Sequence, residues 1–268
     1  MSKTRRTDQP NACLPRAAQA ILFTLFTLVA WTSLGHGALG THAVAQSTEP
    51  QILPKTYEGI YQVSYRAMTV GRAEVRLERD GSRWQMTTKA RPTGLARVFV
   101  GARAEMRSQG EIWHHGLRPV SYDAVTTGDD ASTTAIRFDW ARGHARAERD
   151  GKVVESSLNG PCYDPLSLQL EAGRRLREGF ESIQLCMLEK STPKLYVVSY
   201  EGYETLELPA GDIRALKLRQ ERAGGSKRTT YAWYAPSLDY VAVRIEHHKR
   251  DRIQSALELA EFRWLGAP

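Results

Sequence analysis

Cysteine is scarce in this chain of 268 residues, with three in all, and no two of them stand at Cys-x-x-Cys spacing. That excludes the usual dithiol redox motif and the paired zinc-ligand pattern. His-Glu-x-x-His and His-x-His are missing, as is the Gly-x-Ser-x-Gly elbow of many hydrolases, so no short motif announces a metal or a nucleophile. Internal repeats and low-complexity tracts are absent. The one long apolar run, Ile21 to Trp31 ("ILFTLFTLVAW"), is shorter than the roughly 20 residues needed to span a bilayer. No clustered basic and aromatic motif suggests nucleic-acid binding.

What the first 45 residues do contain reads as a secretory signal peptide. Lys3, Arg5, Arg6 and Arg16 precede the apolar run, and "AVAQ", Ala43 to Gln46, offers a small-x-small cleavage site. Arg5-Arg6 lies too far from the apolar run for a twin-arginine signal. Cys13 precedes that run, so it is not the acylated cysteine of a processed lipoprotein. The leader holds four of the 37 basic and one of the 30 acidic residues, leaving about +4 on the remainder, with both signs interspersed. A periplasmic protein is expected, with at most peripheral membrane contact. Residues 46–56, polar and carrying Pro50 and Pro54, read as a flexible tether.

From residue 57 the pattern has period two, which places alternate side chains on opposite faces of a strand. Tyr61, Val63 and Tyr65 alternate with Gln62 and Ser64; Ala73, Val75 and Leu77 alternate with Glu74 and Arg76. Asp80-Gly81, Asp150-Gly151 and Gly224-Gly225 supply hairpin turns. The expectation over 57–265 is a single mainly β domain: a curved antiparallel sheet forming a β-roll or open barrel. "RPTGLARVFVGA" interrupts it and suggests a short helix near 93–100.

A second helix is expected at 165–178. Asp164 stands at the N-cap, Pro165 at the first helical position and Gly179 at the stop, with Leu166, Leu170, Gly173 and Leu176 at helical spacing. Ser167 then belongs to the helix start, since no base accompanies it. Cys162 and Cys186, the two cysteines left after processing, form the candidate disulfide in an oxidising compartment. His114-His115 and His247-His248 can each turn only one ring toward a common site from a strand, so no metal site and no cofactor are expected. Asp139, Glu201 and Glu204 are carboxylates that spacing alone does not pair. Trp84, Trp113, Tyr122, Tyr231 and Trp233 fall in strand-like segments, where sheet packing is the default; if the sheet encloses a cavity, they are the candidates to line it.

In order, "YQVSYRAMTVGRAEV" with Gly71, "PTGLAR" with Thr93 and Gly94, "HGLRPVSY" with Gly116 and Pro119, "YDPLSL" and "YAWYAPSLDYVAVRIE" with Trp233 and Pro236 resemble the domain-of-unknown-function 3108 family of exported bacterial proteins. Ala242 stands where a proline is expected. The resemblance implies a periplasmic curved sheet and carries over no catalytic residue. The leading expectation is a non-enzymatic binding or chaperone-like protein for a lipid, glycan or envelope protein. A cell-wall or glycan hydrolase and a scaffold without a small ligand are the alternatives.

Overall fold

The computed structural model describes residues 53–94, 103–114, 116–128, 131–189 and 192–266. The expected signal peptide at 1–45 lies outside the described residues, as does nearly all of the helix expected near 93–100. Among the described residues fifteen strands form one sheet. They are β1 (Tyr57–Tyr65), β2 (Met68–Asp80), β3 (Arg83–Pro92), β4 (Ala104–Trp113), β5 (Gly116–Thr126), β6 (Ser132–Asp139), β7 (His144–Arg149) and β8 (Lys152–Ser157). After β9 (Cys162–Tyr163) and the helix α1 (Pro165–Glu178) come β10 (Ser182–Leu188), β11 (Pro193–Leu208), β12 (Gly211–Arg222), β13 (Arg228–Ala235), β14 (Val241–Lys249) and β15 (Arg252–Trp264).

The spatial order runs from β8 through β1, then β15 back through β9. All pairings are antiparallel except β9 with β10. Neighbouring strands are therefore nearly all joined by short hairpins, which is why alternation and turn residues predicted them.

Two observations require this sheet to curl. Its edge strands, β8 and β9, are consecutive in the chain and joined by residues 158–161 alone, a link that reaches no more than about 18 Å. The same helix also bonds to strands six places apart: Ser108 of β4 donates to Asp164 at 2.7 Å, and Tyr234 of β13 donates to the Gln169 carbonyl at 3.1 Å. In a flat sheet those strands would lie about 29 Å apart. The result is an open, barrel-like curl with α1 inside it. Register shifts at Val63/Ser64, Gln109/Gly110 and Trp233/Tyr234 bend the strands where they occur. Beside the second of these, a Cβ on Gly110 would lie 2.3 Å from the Arg118 carbonyl oxygen and 2.6 Å from Trp84, so only glycine fits.

The sequence pattern predicts a helix packing one face on the sheet. Instead α1 is buried on several faces, through Leu166, Leu168, Leu170, Ala172 and Leu176 and also through Glu171 and Arg174. Glu171, fully buried, accepts from Arg174 at 2.7 and 2.9 Å and from Arg175 at 2.9 Å, which answers the cost of placing a carboxylate inside. The expected cap is present: Asp164 accepts from the backbone N–H groups of Leu166 and Ser167, and Ser167 Oγ accepts from Asp164 N in return. Cys162 and Cys186 form the expected disulfide, with an S–S distance of 2.05 Å. Closing that 24-residue separation stabilises the fold by about 3 kcal/mol in the chain-entropy description.

The end of the expected tether is not loose where it is described. Leu53 and Pro54 are buried, Arg79 donates to the Leu53 carbonyl at 3.0 Å, and Leu265 N–H donates to the Thr56 carbonyl at 2.8 Å. The apolar pair "LP" finds a place against the sheet that its polar neighbours concealed. Ala242, in place of the expected proline, sits within β14 opposite Tyr234, and its carbonyl accepts from the Tyr61 hydroxyl at 2.7 Å.

Candidate functional site

Alternate residues of each strand face the interior, and their spacing fills it unevenly. At one end α1 packs tightly: a Cβ on Gly173 would lie 2.8 Å from the Tyr240 carbonyl oxygen. Toward the other end, the N-terminal half of α1 and the surrounding strands bound a cavity of about 750 Å³. Its walls include Tyr61, Val75, Met106, Ile245 and Leu257 from the sheet, with Leu166 and Leu168 from the helix. Lys194, Arg222, Arg228 and Lys249 stand around its opening, at the strand ends where β11, β12, β13 and β14 meet their turns. Among the described residues none of these four makes an ion pair, and Glu189 is the one carboxylate in the lining.

His247 also lines the cavity, its Nδ1 3.1 Å from the Thr230 hydroxyl. The protein packed around it pushes its imidazole below the ordinary value, with Glu189 opposing and His248 adding to the shift. Burial likewise pushes the Tyr61 and Tyr234 hydroxyls up, so both remain protonated across the physiological range. Tyr196, the third aromatic of the lining, is raised by burial in the same direction.

The five aromatics singled out by sequence are not brought together, and none lines this cavity. Trp84 and Tyr122 are buried in the core of β3 and β5. Trp113 is 47% exposed at the end of β4, with the Arg118 guanidinium 4.1 Å from its ring centre. Tyr231 and Trp233 lie on the face of β13 opposite Ala232 and Tyr234, which line the cavity, and Trp233 is buried there beneath Glu204, Lys217 and Arg244. Lys217 stands against both rings, at 5.1 and 5.3 Å. In "YAWYA" both faces of the strand carry aromatics, so periodicity identifies two sets without saying which is inside.

The candidate carboxylates are occupied elsewhere. Glu204 accepts from Trp233 Nε1 at 2.7 Å and Lys217 Nζ at 2.9 Å; burial raises its carboxyl, but these hydrogen bonds outweigh that and hold it below the usual range. Glu201 shares Lys217 at 3.8 Å, and Asp139 is held by Arg142 at 2.8 Å. Ser167 Oγ bonds to Asp164, and among the described residues no histidine meets it. Ser157 does approach His144 at 3.4 Å, but on the exposed hairpin of β7 and β8, where the other ring nitrogen meets the Arg142 carbonyl rather than an acid. Among the described residues no group of three or more histidine, cysteine, aspartate or glutamate side chains is placed to hold a metal ion.

The family described as "protein of unknown function (DUF3108)" matches residues 60–251, a span that runs from β1 to the turn after β14. The chain belongs to the DUF3108 family. No curated protein matches it in sequence. Among solved structures, a β-barrel-like protein of the DUF1849 domain family from Brucella abortus aligns with 80% of this chain and 100% of its own, at a TM-score of 0.53 and 7% identity. At that identity the likeness concerns the fold, and it agrees with the open, curled sheet. A candidate exported protein with a YmcC-like fold from Bacteroides fragilis gives a TM-score of 0.33 at 11% identity, over 78% of this chain and 94% of its own. A candidate lipoprotein from Parabacteroides distasonis gives 0.35 at 10%, over 79% and 98%.

Proposed function

We propose that this DUF3108 protein is an exported, periplasmic binding or carrier module for an amphipathic, anionic ligand of the lipid class. The cavity of about 750 Å³, apolar within and basic at its opening, carries the reading. Its volume lies within the roughly 300–1,000 Å³ of small-molecule sites. An acyl tail against Val75, Met106, Ile245 and Leu257 would gain about 0.8 kcal/mol for each methylene removed from water. A carboxylate or phosphate head would meet Lys194, Arg222, Arg228 and Lys249, which have no competing acid beyond Glu189. Export is supported by the leader-like first 45 residues and by a disulfide of the kind that persists in oxidising compartments. Binding is favoured over hydrolysis because a lone carboxylate in the lining has no second acid facing it.

The test is uptake of a fluorescent fatty acid by the purified protein, with native mass spectrometry of protein taken directly from cells. Saturable uptake and a retained lipid mass are expected. Ala232→Phe, which projects a ring into the cavity from β13, should abolish uptake. Absence of uptake together with a clean protein mass would defeat the reading.

A further inference from the structure

The turns next to the cavity opening carry more positive charge than the cavity uses: Arg222, Arg228 and Lys249 line it, whereas Arg66, Lys227, Arg250 and Arg252 do not. Three hairpin tips are adjacent there: those joining β12 to β13, β14 to β15, and β1 to β2. Backbone bonds link them, from Arg250 N–H to the Lys227 carbonyl at 2.8 Å and from Arg66 N–H to the Gln254 carbonyl at 3.0 Å. Across 65–69, 222–228 and 249–252 they carry seven cations, all exposed, against the single acid Asp251. None of the seven is in an ion pair with a described carboxylate, whereas most arginines elsewhere on the sheet are, as Arg72 is with Glu261 and Arg137 with Asp123.

Beside these charges stand Met68, 65% exposed, Tyr65, 45%, and Ile253, 41%. Two of the tips also put non-glycine residues in the left-handed region: Arg66 and Ala67 at φ 47° and 66°, Arg250 and Asp251 at φ 52° and 61°. Glycine or asparagine would adopt these angles at lower cost, so each tip accepts strain and gains an outward arginine.

We propose that this end of the sheet docks on an anionic lipid bilayer, with the arginines and lysines against the headgroups and Tyr65, Met68 and Ile253 at the acyl boundary. The argument is charge complementarity combined with apolar side chains at the same edge, the combination that holds interfacial proteins on membranes. The purpose of the contact rests on the cavity being a lipid site: docked this way, its basic opening faces the surface from which a lipid would enter or leave.

Co-sedimentation of the full-chain protein with vesicles tests the docking. Vesicles of phosphatidylcholine mixed with phosphatidylglycerol should bind it, pure phosphatidylcholine should bind it weakly, and added salt should release it. Arg66→Gln with Arg250→Gln, neither residue lining the cavity, should weaken partition about thirtyfold. Met68→Ser with Ile253→Ser should weaken it by about another tenfold. Equal partition to both vesicle types, or indifference to these changes, would overturn the docking; so would a surface that binds a soluble acidic protein and no vesicle. Fatty-acid uptake without vesicles reads the cavity separately. Arg66→Gln/Arg250→Gln should leave uptake intact, and Ala232→Phe should remove uptake while vesicle binding persists.

Discussion

The two ends of the curled sheet's interior are built on opposite principles. Around the C-terminal half of α1 the charges that enter are paired: Arg174 with Glu171 and Glu178, and Arg177 with Asp239. Gly173 lets helix and strand backbones approach to a separation that a methyl group would block. At the other end the lining withdraws to leave about 750 Å³, and four cations around the opening have no acid in an ion pair. Close packing with satisfied charges gives a fixed structure, whereas open volume with unsatisfied charges gives affinity for something else. One chain supplies both because the helix is shorter than the sheet is deep.

That contrast can be broken by pH, by truncation and by filling. The largest effect should come from alkali. Tyr57, Tyr61, Tyr122, Tyr163 and Tyr234 are all raised above the ordinary value of 10.0, with burial the leading cause. Their folded values exceed their unfolded ones, so stability is whole below about pH 10 and is lost as pH rises above it, by up to about 1.4 kcal/mol per tyrosine at one unit above. Denaturant titrations on either side of pH 10 should show a steep fall, with tyrosinate absorbance appearing only as the protein unfolds. Early, gradual tyrosinate formation by a folded protein would show these rings to be accessible.

Next in size is Glu171→Ala, which takes two of the three carboxylate hydrogen bonds from the buried Arg174 and leaves it Glu178 alone, and should cost about 3 kcal/mol by chemical denaturation. Asp164→Ala removes an acceptor of four hydrogen bonds, two from backbone N–H groups and two from Ser108 and Ser167, and should cost about 2–3 kcal/mol. Ala232→Phe, at the open end, should change stability by less than about 1 kcal/mol while abolishing fatty-acid uptake. If Ala232→Phe destabilises as much as Asp164→Ala does, the open end is packed core and the contrast between the ends fails.

How much of this was legible beforehand depended on the range of the interaction involved. Asp164, Pro165 and Gly179 announce the helix because capping is satisfied within a few residues, and Asp80-Gly81 announces a hairpin for the same reason. Cys162 and Cys186 could be paired because the third cysteine, Cys13, falls in the expected leader. The site was illegible for a different reason. Tyr231 and Trp233 lie on the face of β13 away from the cavity while Ala232 and Tyr234 line it, and a pattern of period two separates the faces without labelling them. The basic opening gathers Lys194, Arg222, Arg228 and Lys249 from four strands, none of which is unusual in its own stretch.

The sequence by itself determined the strands, the capped helix, the disulfide and the open antiparallel architecture, since each follows from backbone geometry acting between neighbours or from an elimination among few candidates. Tertiary structure alone decided that the sheet curls far enough to bring β4 and β13 onto one helix, which end that helix fills, and which side chains surround the space it leaves. These depend on bends summed over many strands, and no local stretch of sequence contains that sum.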